Sequence, residues 1–227
     1  MKRNILFGAM ALLAGSLAAA DSNPKDEITN AARKLGEKPN YSWKTTVVVP
    51  DDAQFKPGPT EGKTEKNGFT HVTMSFGDNS TQAVLKGDKA AVTNQEGEWQ
   101  SVADLESNEG RGRFLARIVR NFKAPAVQAA ELAAAAKNLK KDGDTYSSEL
   151  TDEGAKAQFR IAPSSNAKGS VKFWLKDGAL TKYEFKLKGT VEFNGNEVEI
   201  DRATTVEIKD VGTTKVNVPE AATKKLS

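Results

Sequence analysis

The run Val171-Lys172-Phe173-Trp174-Leu175-Lys176-Asp177-Gly178, continued by Lys182-Tyr183-Glu184-Phe185-Lys186-Leu187-Lys188, decides the fold. Apolar side chains at 171, 173 and 175, and again at 183, 185 and 187, recur with the period of two that marks a strand burying one face. Asp177-Gly178 between them supplies the positive φ angles that a two-residue hairpin needs. The pattern repeats at once, with Val191 and Phe193 leading into Asn194-Gly195 and Val198 and Ile200 following. Val206, Ile208, Val216 and Val218 complete the set of strand residues. Consecutive hairpins of this kind predict one large antiparallel sheet with a single apolar face to cover.

The first half of the chain supplies more strands and the covering material. Asn23 as a cap, Pro24 in the first turn, acidic Asp26 and Glu27, and Gly36 as a stop define a short helix. Its Ile28, Ala31, Ala32 and Leu35 share one face. From Tyr41 the period is two: Trp43 to Val49, a loop with Pro50, Pro57, Gly58 and Pro59, then Val72, Met74 and Phe76. Turn signals follow at Gly77-Asp78-Asn79, Gly87-Asp88 and Gln95-Glu96-Gly97, giving a meander. The centre is helical. Phe114, Leu115, Ile118, Val119 and Phe122 fall on one face, and Pro125 opens an alanine-rich helix that runs through Leu132 and Leu139 to Lys141, where Asp142-Gly143 ends it. A shorter helical piece follows around Asp152 to Phe159. The fold class is therefore α+β, a curved antiparallel sheet with the N-terminal helix and the central helices on its concave face.

The N-terminus reads as a cleavable export signal. Lys2 and Arg3 precede an apolar run from Ile5 to Leu13 that is short for a membrane span, and Ala18 and Ala20 form an A-x-A ending. Cleavage after Ala20 makes residues 1–20 a signal peptide and places the mature chain in the periplasm or outside the cell, with no integral membrane segment. Ser16 stands where a lipidated cysteine would have to be, and the chain has Cys 0, so neither a lipid thioether nor a disulfide framework is available. Without Lys2 and Arg3, the 33 basic residues fall to 31 against 30 acidic ones. A net charge of +1 offers no field to draw in nucleic acid.

The inventory also argues against an enzyme. His71 is the only histidine and lies on the polar parity of its strand, so no Ser-His-Asp arrangement can be named, and there is no G-x-S-x-G elbow. One imidazole and no thiolate argue against a zinc site, and Asp142-Gly143-Asp144 lacks the acidic residue that ends a calcium loop. No cofactor is expected. One feature rises above this background: Arg113, Arg117 and Arg120 are spaced i, i+4, i+7 beside the apolar stripe of Phe114, Ile118 and Phe122. A solvated flank of a core helix accounts for such a row. A guanidinium row at the rim of an apolar cavity, contacting the anionic head group of an amphiphile, accounts for it as well.

The order of elements resembles the exported carriers with the LolA-like half-barrel, including the mycobacterial-type lipoprotein carriers. The resemblance lies in an N-terminal helix before Tyr41-Ser42-Trp43-Lys44, a meander, a helical insert, the stretch from Val171 to Lys188, and an ending of Val206-Glu207-Ile208 then Val216-Asn217-Val218-Pro219-Glu220-Ala221. It implies a single half-barrel domain over residues 21–227. It further implies a soluble carrier or chaperone that takes the acyl part of a lipid or acylated lipoprotein into an apolar cavity. Candidate cavity-lining residues are Trp43, Val72, Met74, Phe76, Phe114, Ile118, Phe122, Phe173, Phe185 and Phe193. Large side chains such as Phe173, Phe185, Phe193 and Met74 fill a core as readily as they line a pocket. The alternative is an envelope interaction or stress-sensing protein, with other envelope proteins as partners and the same shell solidly packed.

Overall fold

The computed structural model describes residues 23–226 apart from 54–55, 78, 108–109, 161–163 and 194, with all side chains there except those of Arg111 and Phe193. The export signal expected at residues 1–20 lies outside the described residues, as do Asp78 and Asn194 of two expected turns. Helix α1 (Pro24–Gly36) starts as its sequence dictates: the Asn23 side chain accepts the Lys25 N–H, and Ile28, Ala31, Ala32 and Leu35 form its buried face.

Eleven strands among the described residues form one open sheet, in the order β6-β5-β4-β3-β2-β1-β11-β10-β9-β8-β7. They are β1 (Asn40–Val48), β2 (Thr60–Glu65), β3 (Thr70–Phe76), β4 (Asn79–Lys86), β5 (Lys89–Thr93), β6 (Trp99–Ser101), β7 (Lys140–Asp142), β8 (Thr145–Glu149), β9 (Ser164–Lys176), β10 (Ala179–Phe193) and β11 (Asn196–Lys209). Every pairing is antiparallel. The chain begins mid-sheet at β1 and steps outward to β6. It then crosses as α2 (Val102–Ser107), α3 (Arg111–Arg120) and α4 (Pro125–Ala135) to the opposite edge, and steps back from β7 until β11 pairs with β1. The crossing segment is thereby laid over one face of the sheet, which is why the helices cover the apolar side.

Side chains that face the helices line up across the strands. Trp43 stands opposite Gly62 and Ile208, and the row continues through Val72, Ala83 and Val92. A second row runs Tyr146, Phe173, Tyr183 and Val206. Both rows are buried in one continuous core with α1, α3 and α4. Short α5 (Asp152–Ala157) is capped by Thr151 and packs Gly154 so closely on α4 that a Cβ there would come within 2.4 Å of the Ala135 Cβ.

Two expectations are corrected. The alanine-rich helix does not reach Lys141: α4 stops at Ala135, Leu139 follows in coil, and Lys140–Asp142 is strand β7, with Asp142-Gly143-Asp144 turning it into β8. The edge of the sheet outbids helix propensity here because β8 offers β7 a hydrogen-bonding partner. Val216 and Val218 are not in a strand. Both edges of β1 are already taken, by β2 and β11, so the tail instead crosses the outer face, where Val218, Leu226 and Ala222 of α6 (Glu220–Thr223) cover Val84 and Ala91. His71, on the outer face as its parity predicts, lies against this tail and is partly covered by it, with Nδ1 3.0 Å from the Asn217 carbonyl and Nε2 2.9 Å from Gln82 Oε1. Strand β2, Thr-Glu-Gly-Lys-Thr-Glu, was not anticipated, because neither of its faces carries a large apolar side chain.

Candidate functional site

The concave face has two halves with different packing. Under α1 and α4, Phe173 and Tyr183 are fully buried, with ring centroids 6.3 Å apart, and Phe185 stacks on Tyr183 at 6.5 Å. Leu132 of α4 and Ile28 of α1 close over them, both at 0% exposure. Phe173 and Phe185, both candidates for a cavity wall, are buried in this half. The side chain of Phe193, at the end of β10, lies outside the described set.

The other half lies beneath α3. Here Trp43, Val72 and Met74 project from β1 and β3 and are buried. The Trp43 ring lies directly over Gly62, and stacks on Phe122 at 6.0 Å with an interplanar angle of 25°. Tyr41 meets the same indole at 5.9 Å. The face of α3 that enters the core is Leu115, Ala116 and Val119. Phe114, Ile118 and Phe122 are half-buried beside it, and Ile118, Phe122 and Phe76 pack against the core from its margin. The margin of α3 is therefore apolar and only partly covered.

The arginine row divides. Arg113 and Arg117 are exposed. Arg120 reaches back to α2, where its Nη2 donates to Glu106 Oε2 at 2.7 Å and its Nε donates to Glu106 Oε1. The pairing holds the Glu106 carboxyl below its ordinary range and raises Arg120 above its own, so Arg120 is engaged in tying α2 to α3.

A set of polar residues at the interior was not anticipated from the sequence. The Tyr41 hydroxyl accepts from the Ala126 N–H at 3.4 Å, and burial pushes its ionisation up to about 12. Tyr183 donates to Gln128 Oε1 at 2.8 Å and is likewise raised by burial. Arg160, just past α5, donates from Nη2 to Glu131 Oε2 at 3.2 Å and from Nη1 to the Asn121 carbonyl at 3.4 Å, and Lys123 also pairs with Glu131. Arg202 of β11 stands opposite Leu187 on the inner face. Its signal was present, because it occupies the parity of Val198, Ile200 and Val206, where an arginine is out of place. Arg160 follows a helix end and carried no such mark.

On the outer face, an open groove of about 550 Å³ runs across β7 to β10 between Lys137, Lys140, Lys172, Lys186, Glu149 and Glu184. Among the described residues no cluster of three or more His, Asp or Glu side chains is arranged to hold a metal ion, and no helix is long and apolar enough to cross a membrane.

No family model matches the chain, and no curated protein matches it in sequence. Among solved structures it is similar to LprF from Mycobacterium bovis, with a TM-score of 0.50 at 10% identity over 88% of this chain and 97% of that one. It is similar to the lipoprotein LppX of Mycobacterium tuberculosis at a TM-score of 0.49 and 11% identity, over 86% and 98% of the two chains. A putative outer membrane lipoprotein-sorting protein domain from Vibrio parahaemolyticus gives a TM-score of 0.29 at 10% identity, over 83% and 92%. At such identities the likeness is one of fold. With its open antiparallel sheet, its crossing helices on one face and a strand order that returns to β1, the chain is an α+β half-barrel with a fold similar to that of LprF.

Proposed function

We propose that the protein is an exported carrier that takes the acyl part of a lipid or acylated lipoprotein between α3 and strands β1 to β5. The observation that carries this reading is the apolar margin along α3: Phe114 and Ile118 of the helix and Phe122 just after it stay half-buried, while Leu115, Ala116 and Val119 are buried. A displaced helix could lay that flank, with Trp43 and Met74 below it, around a hydrocarbon chain, with each CH₂ removed from water worth about 0.8 kcal/mol. Export after cleavage at Ala20, a single carrier domain over residues 21–227, the absence of a catalytic step and the exposed Arg113 and Arg117 as rim contacts belong to the same proposal. Native mass spectrometry of gently purified mature protein tests it. Co-purifying lipid, or saturable binding of a fluorescent fatty acid, is the expected result, and a protein that is empty and refuses the probe overturns it.

The sealed packing of Phe173, Tyr183, Phe185 and Leu132 favours a second reading, in which the shell is an envelope interaction or stress-sensing module with a filled core. That reading expects an empty protein by native mass and a specific envelope protein recovered by crosslinking.

A further inference from the structure

Arg202 is the least explained side chain of the interior. Its Nε atom is buried and has no hydrogen-bond partner, and the charge that bears on it is that of Arg160, of the same sign. Burial makes both guanidiniums harder to keep charged. A guanidinium nevertheless stays protonated in a protein, so two partly desolvated ones whose charges repel call for an anion. The carboxylate on Arg160 does not suffice, because Glu131 is already shared by Arg160 and Lys123. The other buried side-chain polar atom without a partner among the described residues is Ser164 Oγ. It sits in the row Ser164, Val191, Val198, on the face of β11 that also carries Arg202, four residues along that strand. Orphaned buried polar groups are uncommon in folded proteins; Ser164 lies four residues along and two strands over, too far to share a ligand with Arg202, so Arg202 Nε by itself marks a place that is completed by something else.

We infer that Arg202 and Arg160 form an internal anion site on the concave face, which takes the phosphate or carboxylate group of an acyl-bearing ligand. The planar fork of Arg202 suits two parallel bonds to such a group, and Arg160, whose charge bears on Arg202, adds a second charge. The part of the inference that concerns the hydrocarbon rests on the carrier reading. The head group is then read inside the half-barrel by Arg202 and Arg160, and the exposed Arg113 and Arg117 serve at most as an entry rim.

Three probes, each below its aggregation limit, separate the parts: dodecyl phosphate, dodecanol and inorganic phosphate, measured by calorimetry on the mature wild type and on Arg202→Met. The expected result is dodecyl phosphate binding at least about tenfold more tightly than dodecanol to the wild type, the scale of one charge-assisted bond pair. In Arg202→Met the two affinities should come within about twofold of each other, with dodecanol binding kept, because the apolar stem is preserved. Equal binding of both probes to wild type and variant overturns the anion site and leaves the carrier reading standing. Refusal of both amphiphiles overturns the carrier reading, and the head-group assignment with it. Inorganic phosphate bound by the wild type and not by the variant supports the pair as an anion site and assigns it to a free anion. If Arg202→Met fails to fold, Arg202→Lys is used, which keeps the charge and loses the fork. An unchanged preference for dodecyl phosphate in that variant also refutes the paired-fork geometry.

Discussion

Replacing Gly62 by alanine tests the seat of Trp43, on which the α3 half of the interior is built. A Cβ added at Gly62 would stand 2.0 Å from Trp43 Cζ2, 2.4 Å from Cε2 and 2.5 Å from Cη2. Carbon atoms pack at about 3.5–4.0 Å, so the indole must move by roughly 1.5 Å. That displacement breaks its stack on Phe122 and its contact with Tyr41. Overpacking of this kind costs about 1–3 kcal/mol, each ring contact contributes about 0.5–1.5 kcal/mol, and alanine returns about 0.5–1 kcal/mol for the strand conformation. The net expectation is a loss of about 1–5 kcal/mol, centred near 3, or roughly 6–12 °C in Tm at that centre for a chain of this size. Urea unfolding followed by tryptophan emission measures it, because Trp43 is buried whereas Trp99 and Trp174 are half-exposed. The decisive comparison is a double-mutant cycle with Trp43→Leu, which removes the clashing ring. In that background Gly62→Ala should be neutral or stabilising by up to about 1 kcal/mol. A Gly62→Ala cost that is the same in both backgrounds, or absent from both, refutes the reasoning.

Leu132→Ala in the sealed half should cost about 2–5 kcal/mol in urea unfolding, whereas Ile118→Ala on the half-buried flank should cost less and weaken fatty-acid probe binding. Asn23→Ala removes the cap on α1 and should cost about 1 kcal/mol by the same assay. Tyr41 is raised to about 12 by burial and Tyr183 is raised too, so the folded state holds their protons where the unfolded chain has lost them. Their stability contribution is therefore complete below about pH 10 and is lost as pH rises through the folded values, by about 1.4 kcal/mol per pH unit for each tyrosine. Urea midpoints between pH 9 and 11.5 should fall steeply in the wild type and less steeply in Tyr41→Phe, and equal slopes would contradict this. Arg120→Gln should loosen α2 without unfolding the sheet, read as faster hydrogen exchange confined to Val102–Ser107.

The parts of the fold that were legible are those in which local chemistry and tertiary need agree. Asp177-Gly178 sits in the turn that its φ values of +51° and +72° require, and the parity of Val171, Phe173, Tyr183 and Phe185 is the parity of burial. Strand β2 was illegible because it exists through its neighbours: Gly62 is there to make room for Trp43, a reason that lies on another strand. The end of α4 was misread for a related cause. Residues 137–141 carry ordinary helix formers, and only the position of β8 makes Lys140–Asp142 a strand. The candidate site was legible as a list of large apolar side chains, and the alternation placed them on the inner face. It did not divide them, since whether Phe185 is sealed and Ile118 is marginal depends on how closely each helix approaches the sheet.

That approach is itself set by residue size. Helix α4 presents Ala126, Ala129 and Ala133 to its surroundings, and α1 presents Ala31 and Ala32, so the two come close to each other and to the sheet: a Cβ on Gly36 would lie in ordinary contact, at 3.5 Å, with the Ala126 Cβ. Small helix residues leave the volume to be filled from the strands, and Phe173, Tyr183 and Phe185 fill it. Beneath α3 large side chains come from both layers, with Trp43 and Met74 below and Leu115, Ile118 and Phe122 above, so the helix must stand further off. It is held at its outer side by the ion pair of Arg120 with Glu106, both more than one-third exposed, and exposed ion pairs hold weakly. A helix with a spare apolar flank and a weak outer tie opens at lower cost than one locked by interlocking alanines. This asymmetry is the physical ground for placing a hydrocarbon chain under α3 and for treating the α1 and α4 half as the rigid wall against which α3 moves.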